Sequence, residues 1–473
     1  MSRTAAAVIV IGAIAAVLVA APWTVFDLDR FLVPKELVLH LTALIAGALT
    51  VRRMRPDRLL VIFLILSALS ALLAQNKWLG FRALAISVSS VVLFWAARTL
   101  EERAIVNGLS IAVVVAAMTS LLQAYGLDTI WFASTRIPGG TLGNRNFVAH
   151  LCALGLPLCM LAALRSWRYA PGVAVVAAAL VLTRSRAGWL AAAAALLVFC
   201  VLSLREKRLY ALLGIAAAGA AAALVLPNAL HWRSRNPYTE TMSNVADYER
   251  GSGHGRLVQY QRSLRMAAQH ALLGVGPGNW AVDYPRHAAR NDPSLSDSEG
   301  GMTSNPWPSS DWVAFVAERG LIAAVVLALA LLALVRRNAA LLATLAAVLV
   351  AGLFDAVLLL SAPALIAWAA FGALRGTDDP AQPPARAVAA IIAIVLSLFG
   401  AVRSVAQLVA MDVYATSSDR ASLERAARID PSNYRLQLRL ARGGRTRCEH
   451  ARAAHALYPS AEAATAAARG CKE

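Results

Sequence analysis

Arginines, histidines and glycines crowd one polar stretch of the chain, residues 227–320, and their types set the chemistry open to it. Between Arg250 and Arg290 there are six arginines and a single acid, Asp283. Such a basic run binds anions, and the bland alternative is contact with anionic lipid head groups. Gly251-Ser-Gly-His-Gly-Arg256 leads into an amphipathic run ending at His270, and Gly274-Val-Gly-Pro-Gly278 follows it. Glycines allow positive φ and close backbone approach to a ligand, which a surface that only touches lipid does not need. His231, His254, His270 and His287 could act as bases, although a loop histidine is more often a solvated surface residue. Asp311 opens an apolar run, where it either caps helix amides or does acid–base work. Glu318 lies two turns further in, where burial demands a partner.

A second cationic group is Thr183-Arg-Ser-Arg-Ala-Gly-Trp189, which joins two apolar runs with almost no loop. Arg184 and Arg186 are therefore held near the hydrocarbon boundary, where a guanidinium snorkels, pairs with an acid or meets an anionic ligand. Two arginines in one tight turn suit bidentate binding of phosphate or pyrophosphate. The five cysteines form no ligand-spaced cluster, and no metal site or cofactor is expected. Cys152, Cys159 and Cys200 lie in apolar runs as small hydrophobes. Cys448 and Cys471 share the tail and could pair if it faces an oxidising compartment.

The elements that must position these groups are membrane helices. Hydrophobic residues make up 59% of the 473 and charged ones 15%, against roughly a quarter in soluble domains, and mean hydropathy is +0.59. The fold class is all-α, a polytopic membrane protein of about 12–13 transmembrane helices with a large outward loop and a small helical module at the C-terminus. A net charge of +18 would suggest nucleic acid in a soluble chain, but here the basic residues are spread through short loops, which is a topology signal. No nucleic-acid partner is expected. Thirteen apolar runs fall near 5–22, 36–50, 58–74, 83–97, 104–124, 146–164, 170–182, 187–203, 209–226, 311–335, 339–354, 357–374 and 387–404. With the N-terminus cytoplasmic, the loops near 52–58, 98–103, 165–168, 205–208, 336–337 and 375–386 form a positive-inside set. Residues 23–35, 75–82, 125–145, 183–186 and 227–310 then face outward, as does everything after Gly400.

The chain divides into a membrane domain, 1–404, containing the 227–310 loop, and a tail, 405–473. In the tail, Leu423-Glu-Arg-Ala-Ala-Arg-Ile-Asp-Pro431 and Ala453-Ala-His-Ala-Leu-Tyr-Pro459 each end an amphipathic helix at a proline, as helices of tetratricopeptide-like arrays do. An unspecialised helical hairpin fits the same pattern.

The order of motifs resembles the O-antigen ligase family, which includes protein O-oligosaccharyltransferases and, more distantly, O-antigen polymerases. The residues that carry it are Phe31-Leu-Val-Pro-Lys35-Glu, Gly140-Thr-Leu-Gly-Asn-Arg-Asn-Phe147 and Thr183-Arg-Ser-Arg-Ala-Gly-Trp189. Gly255-Arg256, Leu272-Leu-Gly-Val-Gly-Pro-Gly-Asn-Trp280, Tyr284-Pro285 and Ser310-Asp-Trp-Val-Ala-Phe-Val-Ala-Glu-Arg-Gly320 continue it. The resemblance implies transfer of a glycan from an undecaprenyl pyrophosphate carrier to a lipid or protein hydroxyl, on the periplasmic face of a bacterial inner membrane, without metal or nucleotide. It implies Arg186 and Arg256 on the pyrophosphate, with Arg184, Lys35 and Arg145 as secondary cations among membrane lipids.

At one point the chain departs from the pattern. The family usually reads Pro-His-Asn-Asp before the helix, with the histidine as general base; here the residues are Pro308-Ser309-Ser310-Asp311. Serine does not serve as a base at neutral pH. Three consequences stay open: Asp311 or another histidine such as His287 takes the role, the acceptor chemistry differs, or transfer is lost. The competing functions are accordingly a polymerase joining glycan repeats and a non-catalytic glycan-binding envelope scaffold. A transporter ranks below these, because Asp355 and Glu318 lie near helix ends.

Overall fold

In hydrocarbon every backbone N–H must find its acceptor within its own segment, so the apolar runs of this chain become helices. The computed structural model describes residues 2–232, 234, 236–243, 251–376 and 384–471, without the side chains of Gly251, Ser252 and 384–386. Arg250, and with it part of the polar stretch, lies outside the described residues.

From the N-terminus the apolar helices are α1 (Ser2–Leu18), α2 (Asp29–Thr50), α3 (Arg58–Leu73), α4 (Lys77–Ala97) and α5 (Glu102–Ala124). They continue as α6 (Arg145–Arg165), α7 (Ala170–Leu182), α8 (Arg186–Ser203) and α9 (Lys207–Val225). The polar stretch holds α10 (Pro237–Ser243), α11 (Gly251–Gln269) and α12 (Trp280–Asp283). Then come α13 (Asp311–Leu332), α14 (Ala339–Gly352), α15 (Ser361–Arg375) and α16 (Pro384–Thr416), followed by α17 (Arg420–Ile429), α18 (Tyr434–Leu440), α19 (Arg447–Leu457) and α20 (Glu462–Arg469). The described residues contain no strand, only an isolated bridge between Leu295 and Thr303.

Each of the thirteen expected runs is a helix. Eight are long and apolar enough to cross a membrane, in α2, α4, α5, α6, α8, α9, α13 and α16; α1, α3, α7 and α14 are apolar but shorter. The protein is thus an all-α polytopic membrane protein. Two boundaries differ from expectation. α2 begins at Asp29, so Lys35 lies inside a helix and not in the first outward loop. Its Pro34 is tolerated there, as prolines in membrane helices are when neighbours satisfy the freed groups. α16 runs to Thr416, through the expected boundary at 404.

The helices form two compact units. The first comprises 1–56, 88–246 and 331–398, and the second 57–87, 247–330 and 399–473. Within the first, the alternation of ends expected of a multi-pass bundle is visible. At one end Thr141 Oγ1 donates to the Val17 carbonyl at 2.6 Å, the buried Arg30 donates to the carbonyls of Ile130 and Phe132 at 2.6 and 2.7 Å, and the Ala229 N–H meets the Ala124 carbonyl at 2.8 Å. At the other, Arg165 pairs with Glu102 at 2.6 Å and Arg208 donates to the Leu164 carbonyl at 3.0 Å.

In the second unit α17 and α18 start at side-chain caps. Asp419 Oδ2 accepts the Ser422 N–H at 2.8 Å, and Asn433 Oδ1 accepts that of Leu436 at 3.1 Å. α17 and α19 stop two residues before Pro431 and Pro459, as the sequence implied. Ala410, Leu423, Ala426, Leu436 and Leu440 form a core beneath them. Cys448 and Cys471 are joined by a disulfide, with Cα atoms 5.3 Å apart.

Candidate functional site

In the second unit the glycine turn and α13 are built as one piece. α13 is interrupted at Gly320, whose φ of 81° and ψ of 165° leave the helical region. The carbonyls this frees are taken by the turn: Val275 N–H donates to Ala317 at 3.0 Å and Gly276 N–H to Glu318 at 2.8 Å. In return Leu321 N–H reaches the Ala271 carbonyl at 2.8 Å. A Cβ on Gly274 would fall 2.3 Å from the Glu318 carbonyl carbon, and one on Gly320 would fall 2.1 Å from the Leu272 oxygen. Positive φ at Gly274, Gly276 and Gly278 agrees with the sequence reading. The close approach does not: at Gly274 it is to α13 and at Gly276 to Ala74, so these glycines pack the protein against itself.

Glu318 is buried, and its carboxylate accepts the N–H groups of Gly278 at 2.8 Å and Trp280 at 3.2 Å. It therefore caps the first turn of α12 and has the partners its burial requires. Beside it, Arg319 is buried between Phe63 and Phe315 and donates to Ser67 Oγ at 3.2 Å and Ser87 Oγ at 2.8 Å. No role for Arg319 was evident from sequence; an adjacent acid and base within an apolar run was the available signal.

The segment Gly251–Arg256, read as a glycine-rich lead-in, is the first turn and a half of α11. One face of α11 is fixed by packing, with Met266 and Ala267 joining Trp280, Ala281, Tyr284 and Ala317 in a core. Trp280 Nε1 donates to Ser263 Oγ at 2.8 Å. Arg262 pairs with the buried Asp292, which also accepts the Tyr284 hydroxyl at 2.9 Å. Burial pushes that phenol's pKa above its usual value, so it stays a donor.

Further along the same face α11 grips the residues before α13. Gln259 Oε1 accepts the Ser309 N–H at 2.6 Å, and the Tyr260 hydroxyl donates to the Ser309 carbonyl at 2.5 Å. Arg256 lies one helical turn before Tyr260 on this face. It is half-buried and has no hydrogen bond or ion pair among the described residues. Ser310 Oγ accepts the Val313 N–H at 3.4 Å in the first turn of α13. Asp311 takes the first helical position, fully buried and within Coulombic reach of Arg319. His287 is held elsewhere, its Nε2 3.6 Å from Asp283 Oδ2. Asp283 also pairs with Arg286 at 3.0 Å and faces His270 at 4.0 Å.

The other cations belong to the first unit. Arg184 adopts φ 52°, a left-handed conformation uncommon for a side chain of its size. Its Nε donates to Thr241 Oγ1 at 3.0 Å, and its guanidinium lies 4.7 Å from the Trp232 ring centre and 3.7 Å from Glu240. Arg145 lies over the same ring at 5.0 Å, so Arg145 and Arg184 are brought together around one indole. Arg186 opens α8, where Ser185 Oγ caps the Gly188 N–H at 3.3 Å. Lys35 is buried in α2 and donates to the Val19 carbonyl.

A multi-pass all-α membrane protein with a broken helix and a basic polar insert is the class these features define. Residues 171–328 match the family model described as O-antigen ligase, which bears out the resemblance over that segment. The match begins in α7 and ends in α13, so it covers the Arg184–Arg186 turn, the polar insert and the break at Gly320. No curated protein matches the chain. At the level of the family, the match supports an envelope enzyme that transfers a glycan between a donor and an acceptor in the membrane.

Proposed function

We propose that the protein transfers a glycan from undecaprenyl pyrophosphate to a lipid or protein hydroxyl at the periplasmic face of a bacterial inner membrane. The observation that carries the reading is Arg256. It is a half-buried guanidinium with no partner among the described residues, one turn from the Tyr260 clamp on Ser309, inside the matched segment. In the reaction the acceptor oxygen bonds to the anomeric carbon while the bond from that carbon to the pyrophosphate oxygen breaks. Negative charge grows on the departing pyrophosphate, and a guanidinium placed beside it stabilises that charge more than it stabilises the intact donor. Arg186 keeps the same assignment toward the donor phosphates, with Arg184, Arg145 and Lys35 as supporting cations.

The acceptor proton goes to Asp311, two residues beyond the clamped Ser309 at the start of α13. A second reading makes His287 the base, and its favouring observation is the Asp283 carboxylate 3.6 Å away, which can hold the imidazole in one orientation. The outward placement of the insert and tail is supported by the disulfide, since such bonds persist in oxidising compartments.

The test is to compare envelope glycans and glycoproteins by mass in a deletion strain and in strains complemented with wild type, Asp311→Asn or His287→Gln. Loss of one glycoconjugate class, restored by wild type and by His287→Gln but not by Asp311→Asn, is expected. The reverse pattern selects His287. No change in any class on deletion contradicts transfer and leaves a binding scaffold; carrier-linked products of graded length identify a polymerase.

A further inference from the structure

The tail and the polar insert meet within the second unit. The Glu462 N–H donates to the Gly300 carbonyl at 2.9 Å, and Asn76, in the turn between α3 and α4, donates its Nδ2 hydrogen to the Leu457 carbonyl at 3.1 Å. Gly301 has φ 75°, and a Cβ there would fall 1.9 Å from the Ser460 carbonyl oxygen, so tail backbone presses directly on the insert. Arg435 faces Glu299 across the junction at 3.8 Å.

These contacts enclose a cleft of about 520 Å³, lined among others by Glu299, Tyr414, Tyr434, Arg435, Arg442 and Glu462. That size falls in the ~300–1,000 Å³ range of small-molecule sites. Its lining differs from the usual mostly apolar pocket, because three arginines, two glutamates and two tyrosines supply most of its chemistry. Arg439 is committed to the wall, donating to the Tyr414 and Ser417 carbonyls at 2.8 and 3.1 Å and lying over the Tyr414 ring. Tyr434 packs edge-on against Tyr458, and burial with Glu299 nearby pushes its phenol up to about 12. It therefore stays a neutral donor. Arg442 and Glu462 are exposed, and neither side chain has a hydrogen bond or ion pair among the described residues.

A polar cleft with aromatic faces, one uncommitted planar cation and one uncommitted planar anion matches the surface of a sugar, whose C–H face packs on an aromatic ring and whose rim hydroxyls need donors and acceptors together. Three arginines against two glutamates leave the lining net positive, which favours a sugar carrying a carboxylate. We propose that this cleft binds a short acidic oligosaccharide, separately from the groups assigned to transfer. The source of such a ligand, the glycan being moved, rests on the transferase reading; the binding itself does not.

The experiment uses the full chain in nanodiscs and isothermal titration with tri-galacturonate, maltotriose and an acetylated tripeptide with a free carboxylate. Tri-galacturonate is expected to bind more tightly than maltotriose, with at least a tenfold loss in both Arg442→Ala and Glu462→Gln and no loss in Arg452→Ala, an exposed arginine of α19 outside the cleft lining. Absence of saccharide binding, equal affinity for maltotriose, binding that ignores both cleft variants, or preference for the tripeptide would each overturn the proposal. Because no turnover is read, failure here leaves glycan transfer standing, and failure of transfer leaves this result interpretable.

Discussion

Tyr260 donates its hydroxyl to the carbonyl of Ser309 at 2.5 Å, and Gln259, its neighbour on α11, accepts the N–H of the same residue at 2.6 Å. Both polar groups of one peptide position are thus fixed by one helix. In the family pattern this position carries a histidine; here the backbone is held although the side chain is small.

The clamp makes the first expectation. Tyr260→Phe removes one neutral hydrogen bond, about 1 kcal/mol, and keeps the ring. Transfer measured in membranes should fall several-fold while the amount of inserted protein stays constant. Equal activity in Tyr260→Phe would show that positioning Ser309 is irrelevant to the chemistry.

Gly320 makes the second. A side chain there meets both a positive φ and the Leu272 oxygen 2.1 Å from its Cβ. Strain of this kind costs on the order of 1–3 kcal/mol, so Gly320→Ala should lower the unfolding temperature of the detergent-solubilised protein. Gly214→Ala, in α9 with nothing within 4 Å of a Cβ, is the matched control and should not.

A third concerns sidedness. Cys448 and Cys471 enclose a separation of 23 residues, for which the chain-entropy estimate is about 3 kcal/mol of stabilisation. Mass-tagging of thiols on intact cells should find these two oxidised and Cys152, Cys159 and Cys200 reduced. Reduced thiols at both tail positions would place the tail in a reducing compartment and invert the topology.

The tail should also weaken in acid. His450 is buried, with Nδ1 2.7 Å from Gln437 Oε1, and burial lowers its pKa below the ordinary 6.5. Glu449 and Glu424 oppose that shift and Arg420 adds to it. A folded-state value below the unfolded one means that the unfolded tail binds a proton the folded tail does not. Stability is then complete above about pH 6.5 and falls as the pH drops through the folded value. Hydrogen exchange of α18 and α19, corrected for intrinsic rates, should show protection declining below pH 6.5 in wild type and declining less in His450→Gln.

Much of the architecture was legible because membrane helices announce themselves locally. All thirteen runs, the stops before Pro431 and Pro459, and the need of Glu318 for a partner follow from composition and short-range rules. What was not legible depends on distant neighbours. At the start of α2, the Arg30 guanidinium reaches the carbonyls of Ile130 and Phe132, a hundred residues along the chain. Gly251–Arg256 became helix because the following turns pack on Trp280 and Tyr284, which overrides glycine's poor propensity. The positive φ of the Gly274–Gly278 turn could be read from residue type, but its partner, α13, lies some forty residues away. The partners of Arg319 were not legible, since Ser67 and Ser87 are more than two hundred residues distant.

The central claim is that Arg256 stabilises a leaving pyrophosphate. Its most direct test is transfer from a lipid-pyrophosphate-linked glycan in proteoliposomes of wild type, Arg256→Lys and Arg256→Ala, with the oxidised Cys448–Cys471 pair as the check on folding. Loss of one preorganised donor to developing charge typically lowers kcat by roughly 100- to 1,000-fold. The account expects a loss of that order in Arg256→Ala, with partial recovery in Arg256→Lys. Wild-type turnover by a folded Arg256→Ala protein would contradict it.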